Sequence, residues 1–544
     1  MEIRAEEAYD YPLLIKSILQ SPIADNPDRE IVYRGEVRMS YRSFRERVAR
    51  LATALVNLGI KAGDTVAVMD WDSNRYLECY FAIPMIGAVL HTINIRLSPE
   101  QLTYTIDHAD DTLIFVNSDF LPLIEAIRAR LDKVKQYILM TDTGTAPGSM
   151  IRFAGEYEDM LSVSKPMRDF PDFDEGTRAT TFYTTGTTGL PKGVFFSHRQ
   201  IVLHTISAIA TLSSPSGGRN INRDDVYMPL TPMFHVHAWG IPYLATMLGI
   251  KQVYPGKYAP ASLLSLLDAE KVTFSHCVPT ILMMMLRDPS AAGVDLKGWK
   301  VIIGGSALPK ALCEEAMARG VDIQSGYGMS ETCPILAISN LSPSEYEADE
   351  ATQLERRTRS GYPIAFTQLK VVDPQGRELP WDDKSAGELV VRSPWLTQGY
   401  LKDKVNSDKL WAGGWLHTQD VAVRDSRGSV KITDRLKDVI KVGGEWLSSL
   451  ELEDLFLIHP AVAEAAVIGR PDEKWGERPL AVIVLKPGKT ATAEELGEHL
   501  GGFIDKGLMP RYAKETEIGF AAAIPKTSVG KIDKLALRAA MAKA

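Results

Sequence analysis

Tyr183-Thr184-Thr185-Gly186-Thr187-Thr188-Gly189-Leu190-Pro191-Lys192-Gly193 is the stretch that decides the fold. Its glycines let backbone N–H groups approach a ligand closely, its threonines add hydroxyl donors, and Lys192 adds a positive charge. Residues 179–183 are rich in β-branched and aromatic residues and predict a strand. A strand that runs into such a loop predicts a site for the phosphates of a nucleoside triphosphate; the alternative is a polar surface loop.

The loop does not fit the common nucleotide motifs. A Walker A loop has a second glycine where Pro191 stands, and a Ser or Thr where Gly193 follows Lys192. Residues 326–331 nearly match a dinucleotide fingerprint, but the last position is Glu331 instead of Gly. These departures predict a different class of nucleotide enzyme.

Composition excludes several classes of protein. A chain of 544 residues is too long for one ordinary core and predicts two or more domains. The net charge of −8 argues against a nucleic-acid partner. Four scattered cysteines disfavour a zinc site or a disulfide scaffold. The charged N-terminus has no signal-peptide core, and the longest apolar stretch, residues 80–90, is shorter than the roughly 20 residues of a membrane span. We expect a cytoplasmic protein without a membrane span.

Hydrophobic periodicity predicts alternating helices and strands over the first two-thirds of the chain. Ser40 is a predicted N-cap for a helix that ends at Gly59, and residues 65–69 predict the following strand. Short apolar runs separated by helix-length segments indicate buried parallel strands in an α/β fold. From about residue 360 the chain is strand-rich, with a hairpin predicted around residues 425–428. The predicted domain boundary lies near residues 435–440.

Several further residues suit nucleotide chemistry. Tyr327 can stack on a base, and Glu331 can hold Mg²⁺ beside phosphates. Asp420 can accept the two hydroxyls of a ribose. Arg435 and Lys531 add positive charge. Taken singly, these residues are also consistent with a glycine-rich turn, a turn-forming Asp, a solvated helix start and a surface lysine.

Together and in this order, the segments resemble the adenylate-forming superfamily of acyl-CoA synthetases, luciferases and peptide-synthetase adenylation domains. The resemblance covers essentially the whole chain. It implies that a carboxylate attacks the α-phosphate of ATP, and that coenzyme A then displaces AMP. It also implies an N-terminal domain, residues 1–436, of two doubly wound α/β subdomains and a small β-barrel-like subdomain. A small mobile α+β C-terminal domain, residues 437–544, would swing between the two half-reactions.

The resemblance also implies roles for individual residues. Lys531 is the expected adenylation lysine, Lys441 the lysine of the thioester step, Lys437 the hinge and Glu331 the Mg²⁺ carboxylate. The expected nucleotide and CoA contacts are Thr184, Thr185, Gly186, Thr187, Thr188, Gly189, Lys192, Tyr327, Thr332, Asp420, Arg435, Gly443 and Gly444. The chain departs from the family at Gln419, where glycine is usual.

The acid is less determined than the reaction. No Asp stands near His235 to hold an amino group, which favours a plain acyl carboxylate. Residues 232–240 are similar to those of fatty-acyl-CoA synthetases and 3-methylmercaptopropionate-CoA ligases, so the resemblance implies a catalytic, gating His235. The expected acyl pocket consists of His235, Trp239, Gly304, Gly305, Met329 and Pro334. Trp239 either caps a short pocket or gates a long tunnel.

Other interpretations stay open at this stage. His235 and His237, placed on a strand, form an alternative metal pair. The alternatives to a short- or medium-chain acyl-CoA synthetase are a stand-alone enzyme that loads a carrier protein, a long-chain ligase, a luciferase and a non-catalytic homologue. A homodimer is implied at the level of the family alone.

Overall fold

The computed structural model describes residues 5–143, 148–184, 190–215, 219–443, 445–506, 509–527 and 532–541, with only the backbone of residues 445 and 446. The fold is mixed α/β, with a large N-terminal and a small C-terminal domain. This confirms the predicted fold class. The division at residues 436 and 437 stays a prediction.

Two large sheets form the N-terminal domain, and the first has seven strands. Its strands are parallel except for the last pair, which is the antiparallel hairpin on either side of the threonine-rich loop. In spatial order they are Gly155–Glu156, Gln136–Met140, Asp111–Asn117, Thr65–Met69, Val89–Thr92, Arg178–Thr184 and Lys192–Ser197.

The second large sheet has nine strands, with a parallel centre and antiparallel edges. In spatial order they are Tyr362–Pro363, Ile335–Ile338, Asp322–Gly328, Lys300–Ile303, Phe274–Cys277, Val226–Leu230, Lys251–Tyr254, Glu30–Tyr33 and Val37–Ser40. The carboxyl ends of its central strands carry the predicted acyl-pocket glycines, as expected for ligand sites in open α/β sheets.

Helices cover the faces of both sheets, and their ends follow local capping rules. The helix Tyr41–Asn57 begins after Ser40, whose side chain accepts a hydrogen bond from the Ser43 amide as predicted. The right-handed α-helices are Gln20–Asp25, Tyr41–Asn57, Asn74–Met85, Pro99–His108, Leu121–Ile127, Tyr157–Val163, His198–Leu212, Ile241–Leu248, Pro260–Ala269, Pro279–Arg287, Lys310–Ala318, Pro343–Tyr346, Glu350–Thr358, Lys404–Leu410, Ser449–Leu457, Ala493–Asp505 and Lys534–Met541.

Two smaller sheets complete the fold. The predicted hairpin around residues 425–428 is present in an antiparallel sheet of Gln368–Val372, Gly387–Arg392, Trp411–Ala412, Trp415–Arg424 and Val430–Arg435. The C-terminal sheet consists of Ile440–Val442, Glu445–Leu447, Val462–Asp472, Gly476–Leu485 and Glu517–Phe520. The C-terminal domain has its own apolar core around Phe456 and Ile483. Within the described residues, no helix is long and apolar enough to cross a membrane.

Candidate functional site

The threonine-rich loop joins two paired strands of the seven-stranded sheet. Thr184 ends one strand, Lys192 begins the other, and the two residues are cross-strand partners. The predicted phosphate contacts Thr185, Gly186, Thr187, Thr188 and Gly189 lie outside the described residues. The Lys192 ammonium lies 4.7 Å from the centre of the Tyr400 ring. The hairpin therefore fixes where both ends of the loop lie and where its lysine points.

Glu331 lies on a short 3₁₀ turn, Ser330–Thr332, that follows the strand Asp322–Gly328. Its carboxylate is buried and accepts a hydrogen bond from the Tyr400 hydroxyl at 2.7 Å. The Thr332 hydroxyl is held in the turn, since it accepts from the Met329 amide and donates to the Pro334 carbonyl. The turn thus presents a desolvated carboxylate in a fixed orientation.

Tyr327, Asp420 and Arg435 form one cluster, although they come from three strands. The Tyr327 hydroxyl donates to Asp420 Oδ2 at 2.7 Å, and Arg435 Nε lies 3.3 Å from Asp420 Oδ1. Asp420 and Arg435 are cross-strand partners, which places their side chains on one face of the sheet. Burial and the Asp420 charge raise the pKa of Tyr327 well above its ordinary value, so its hydroxyl stays a donor.

The backbone explains the departure at Gln419. Gln419 has φ of 60°, in the left-handed region where glycine is favoured. Its amide donates to Glu388 Oε1 at 3.0 Å, and its carbonyl accepts from the Leu436 amide at 2.9 Å. These two hydrogen bonds hold the strained residue immediately before Asp420.

The Glu331 carboxylate interacts electrostatically with Lys192 and with Arg435 of the Tyr327–Asp420–Arg435 cluster. Burial raises the pKa of Glu331, while the hydrogen bond from Tyr400 and the charges of Lys192 and Arg435 lower it. A buried carboxylate suits a bound cation, and the positive charges of Lys192 and Arg435 suit phosphate oxygens. Among the described residues no group of three or more His, Cys, Asp or Glu side chains can hold a metal ion. A single carboxylate still fits Mg²⁺, which takes one or two carboxylates when substrate phosphates complete its shell.

Most of the predicted acyl-pocket residues lie near the carboxyl ends of two strands of the nine-stranded sheet. Gly304 and Gly305 follow the strand Lys300–Ile303, and Met329 follows Asp322–Gly328. His235 immediately precedes the turn that begins at Val236. Trp239 is buried, and its ring centre lies 4.9 Å from that of His276. A Cβ built on Gly304 would lie 3.0 Å from both the Trp239 ring and the Gly326 carbonyl. Pro334 lies against Gly328, where a Cβ would overlap its carbonyl, and Gly305 has φ of 79°. The indole of Trp239 therefore packs directly against the backbone at Gly304.

Trp239 ends a left-handed helical turn, which corrects the prediction of a strand at His235 and His237. Val236, His237, Ala238 and Trp239 have φ of 49°, 54°, 46° and 60°, and Gly240 follows at 72°. Such a conformation costs about 1–2 kcal/mol for each non-glycine residue. The alternation of histidine and apolar residues resembled a strand, but tertiary packing sets the backbone here.

The packing that fixes this turn surrounds His237. Its ring lies between those of Phe182, Tyr80, Tyr243 and Phe196, at centre distances of 5.2, 5.9, 6.1 and 6.4 Å. Burial lowers the pKa of His237 to about 3, and neither ring nitrogen has a hydrogen-bond partner in the described part of the chain. An imidazole enclosed by four aromatic rings is a packing group, so the structure does not support the metal-pair alternative.

The remaining predicted residues lie at the C-terminal domain. Lys437 lies in the turn between the strands Val430–Arg435 and Ile440–Val442. Lys441 is exposed, and its amide donates to Glu477 Oε2 at 2.7 Å. Gly443 has φ of 61°, and its amide donates to the Trp475 carbonyl at 2.7 Å. Gly444 and Lys531 lie outside the described residues.

Sequence analysis missed two residues of the site. Tyr400 contacts both Lys192 and Glu331. His204 Nε2 accepts from the Ile335 amide at 3.2 Å, and its ring leaves no room for a Cβ on Gly240. Both side chains reach the site from segments without a motif; the only local signal was the Gly-Tyr pair at 399–400 after a strand.

Comparisons with known proteins show the family of the chain. The model of the AMP-binding enzyme family matches residues 19–401, and that of the AMP-binding enzyme C-terminal domain matches residues 451–531. A long-chain-fatty-acid–CoA ligase of Thermus thermophilus is 42% identical over 94% of this chain and 92% of its own length. A 3-methylmercaptopropionyl-CoA ligase of Ruegeria pomeroyi is 36% identical over 97% of both chains. The solved structure of an anthranilate CoA ligase in complex with anthranoyl-AMP superposes with a TM-score of 0.85, at 26% identity over 98% of both chains.

Proposed function

The chain belongs to the AMP-binding enzyme family as an AMP-forming acyl-CoA synthetase, and we propose that it activates a short- or medium-chain carboxylic acid, 3-methylmercaptopropionate among the candidates. It uses ATP to form the acyl-adenylate and coenzyme A to form the thioester. Two observations carry the site assignment: Glu331 accepts a hydrogen bond from Tyr400, whose ring faces Lys192, and Tyr327, Asp420 and Arg435 form one cluster. The charges of Lys192 and Arg435 both act on Glu331. This arrangement matches the phosphate and nucleoside ends of one ATP molecule.

In the first half-reaction two anions must come together. The loop from Thr184 to Gly189 and Lys192 hold the phosphates, Tyr327 stacks on the adenine, and Asp420 with Arg435 holds the ribose. Lys531 neutralises the charge that develops as the carboxylate attacks the α-phosphate and pyrophosphate leaves. Thr332 contacts the phosphates, and Glu331 would hold Mg²⁺, which would supply charge neutralisation on the phosphate oxygens.

In the second half-reaction the C-terminal domain, residues 437–544, rotates about Lys437. Lys441, Gly443 and Gly444 then face the acyl-adenylate, where the CoA thiol displaces AMP. Contacts between residues on the two sides of the proposed boundary support a hinge at this position. The Ser449 amide donates to Asp434 Oδ2 at 2.6 Å, and Lys431 Nζ donates to Glu451 Oε1 at 3.0 Å. These contacts have to exchange when the domain turns.

The closed acyl end supports a small acid. Trp239 lies against Gly304 and His276, and we infer that its indole closes the acyl end of the pocket. His235, Met329 and Pro334 line the carboxylate end. A long-chain acid is the alternative, favoured by the name of the Thermus relative, and it requires Trp239 to move.

A single assay tests this proposal. Pyrophosphate release is measured across straight-chain acids from C3 to C16 and with 3-methylmercaptopropionate, each with and without CoA. We expect the highest kcat/KM at or below C8 and CoA-dependent thioester formation. Highest activity with C14 or C16 overturns the proposed acid. Turnover with a pantetheinyl carrier protein in place of CoA favours the carrier-loading alternative. A homodimer and a cytoplasmic location stay predictions from the sequence.

A further inference from the structure

Tyr400 lies between two groups of opposite charge in the nucleotide site. Its hydroxyl donates to Glu331 Oε1 at 2.7 Å, and the centre of its ring lies 4.7 Å from Lys192 Nζ. A tyrosine ring attracts an ammonium group at its face, and its hydroxyl orients a carboxylate. One side chain therefore contacts both the lysine of the phosphate loop and the carboxylate of the neighbouring turn.

The backbone around Tyr400 is fixed from three sides. Tyr400 forms a bridge with Val194 on the hairpin strand, and the Leu401 amide donates to the Gly193 carbonyl at 2.8 Å. The Tyr400 amide donates to the Ser407 hydroxyl at 2.8 Å. Two residues on, Lys402 forms an ion pair with Asp110 at 2.6 Å. The backbone of Tyr400 is thus anchored to the same hairpin that carries Lys192.

The charge of Lys192 acts on Glu331, but no ion pair within 4 Å joins these two described residues; each contacts Tyr400 instead. A direct pair would neutralise both groups and close the site to phosphates and to a cation, because each would already have its partner. The face of the Tyr400 ring lies against the Lys192 ammonium, and the Tyr400 hydroxyl donates to one oxygen of the Glu331 carboxylate. The other carboxylate oxygen keeps its acceptor capacity.

We propose that Tyr400 is a positioning residue that keeps Lys192 and Glu331 apart and separately available, the first to the triphosphate of ATP and the second to its divalent cation. This inference rests on the proposed function. Its two parts act through different atoms. The ring holds and spaces Lys192, and the hydroxyl orients Glu331, so they can be removed one at a time.

The two parts predict different binding defects. Tyr400→Phe keeps the ring and removes the hydroxyl, so affinity for ATP in excess EDTA should stay within about twofold of wild type. The Mg²⁺ concentration for half-maximal enhancement of ATP binding should rise by about tenfold, the lower end of what loss of a metal ligand's supporting hydrogen bond costs. Tyr400→Leu removes the ring as well and should also weaken metal-free ATP by about fivefold, as expected for a lost cation–π contact.

Titration calorimetry on the full chain measures both quantities, with ATP alone and with ATP plus increasing Mg²⁺. Tyr33→Phe is the matched control, since Tyr33 also donates to a carboxylate, Asp142, at 2.8 Å on the edge half of the nine-stranded sheet. It should change neither affinity. Thermal unfolding of each variant shows whether it is folded, and Tyr400→Phe alone decides the case if Tyr400→Leu is not.

Each outcome has one meaning. A higher Mg²⁺ requirement in Tyr400→Phe with unchanged metal-free binding supports the inference. An unchanged Mg²⁺ requirement, or equal loss in both measurements, overturns it and makes Tyr400 a purely structural residue. If wild type itself binds no ATP, the proposed function fails, and that result is distinct from a failure of the Tyr400 variants.

Discussion

Trp239→Ala tests how the enzyme selects its acid. The side chain is buried against the Gly304 backbone and the His276 ring, so its removal opens space at the closed end of the pocket. We expect the preferred acid to become longer by two carbons or more. Two newly buried methylenes contribute about 1.6 kcal/mol at about 0.8 each. Because 1.4 kcal/mol is tenfold, the kcat/KM of the longer acid should rise by about 15-fold.

The assay is pyrophosphate release with butanoate, hexanoate, octanoate and decanoate, each at several concentrations. Gly304→Ala is the opposing variant. Its new Cβ would lie 3.0 Å from the indole and from the Gly326 carbonyl, and should narrow the pocket. It should therefore lower kcat/KM for the longer acids first. A wild-type optimum at C14 or C16 that Trp239→Ala leaves in place would refute the cap and make Trp239 the gate of a tunnel.

Three further predictions concern the C-terminal domain and the strained backbone. Lys531→Ala should slow adenylation by roughly a hundredfold or more yet still convert supplied acyl-adenylate to acyl-CoA. Lys441→Ala should retain adenylation and lose the conversion of acyl-adenylate to acyl-CoA. Equal loss of both steps in both variants contradicts the assignment. Lys437→Pro should keep the rate of adenylation within roughly tenfold of wild type and lower the rate of thioester formation by about a hundredfold, because proline fixes φ at the proposed hinge. Single-turnover assays of each step measure the two rates. A wild-type rate of thioester formation would place the hinge elsewhere. Gln419→Gly should raise the thermal unfolding midpoint, because relief of about 1–2 kcal/mol of left-handed strain exceeds the roughly 0.5–1 kcal/mol entropy cost of glycine. The control Gln375→Gly, at an exposed residue outside the left-handed region, should lower the midpoint. A lower midpoint for both variants would show that the Gln419 strain is absent.

Local signals predicted the regular elements well. Ser40 and the apolar spacing after it were sufficient for the helix Tyr41–Asn57, because capping and periodicity act within one element. The strand Thr65–Met69 and the hairpin at residues 425–428 follow from equally local patterns. Such signals do not determine which strands become neighbours, and the order of each sheet was visible only in the structure.

The site shows the same division. Tyr327 and Asp420 were singled out by residue type, but their hydrogen bond joins positions that are 93 residues apart. Tyr400 carried no motif, since its importance comes from two partners on other segments. The turn before Gly240 was misassigned because its left-handed backbone is imposed by the aromatic rings around His237, three of which, Tyr80, Phe182 and Phe196, lie on elements distant in sequence.

The left-handed turn has a consequence for redesigning the enzyme toward other acids. The orientation of Trp239 depends on a left-handed backbone conformation that is unfavourable for most side chains. The turn begins at Val236, a β-branched residue for which this conformation is especially unfavourable. A library randomised across residues 236–239 would lose folded protein in most of its members before it sampled new pockets. Ile302, two residues before Gly304, lies on the regular strand Lys300–Ile303 outside the left-handed region, and its side chain packs against Gly326. Changes of acid scope are better engineered from the strand side of the pocket, with the turn left as a fixed wall.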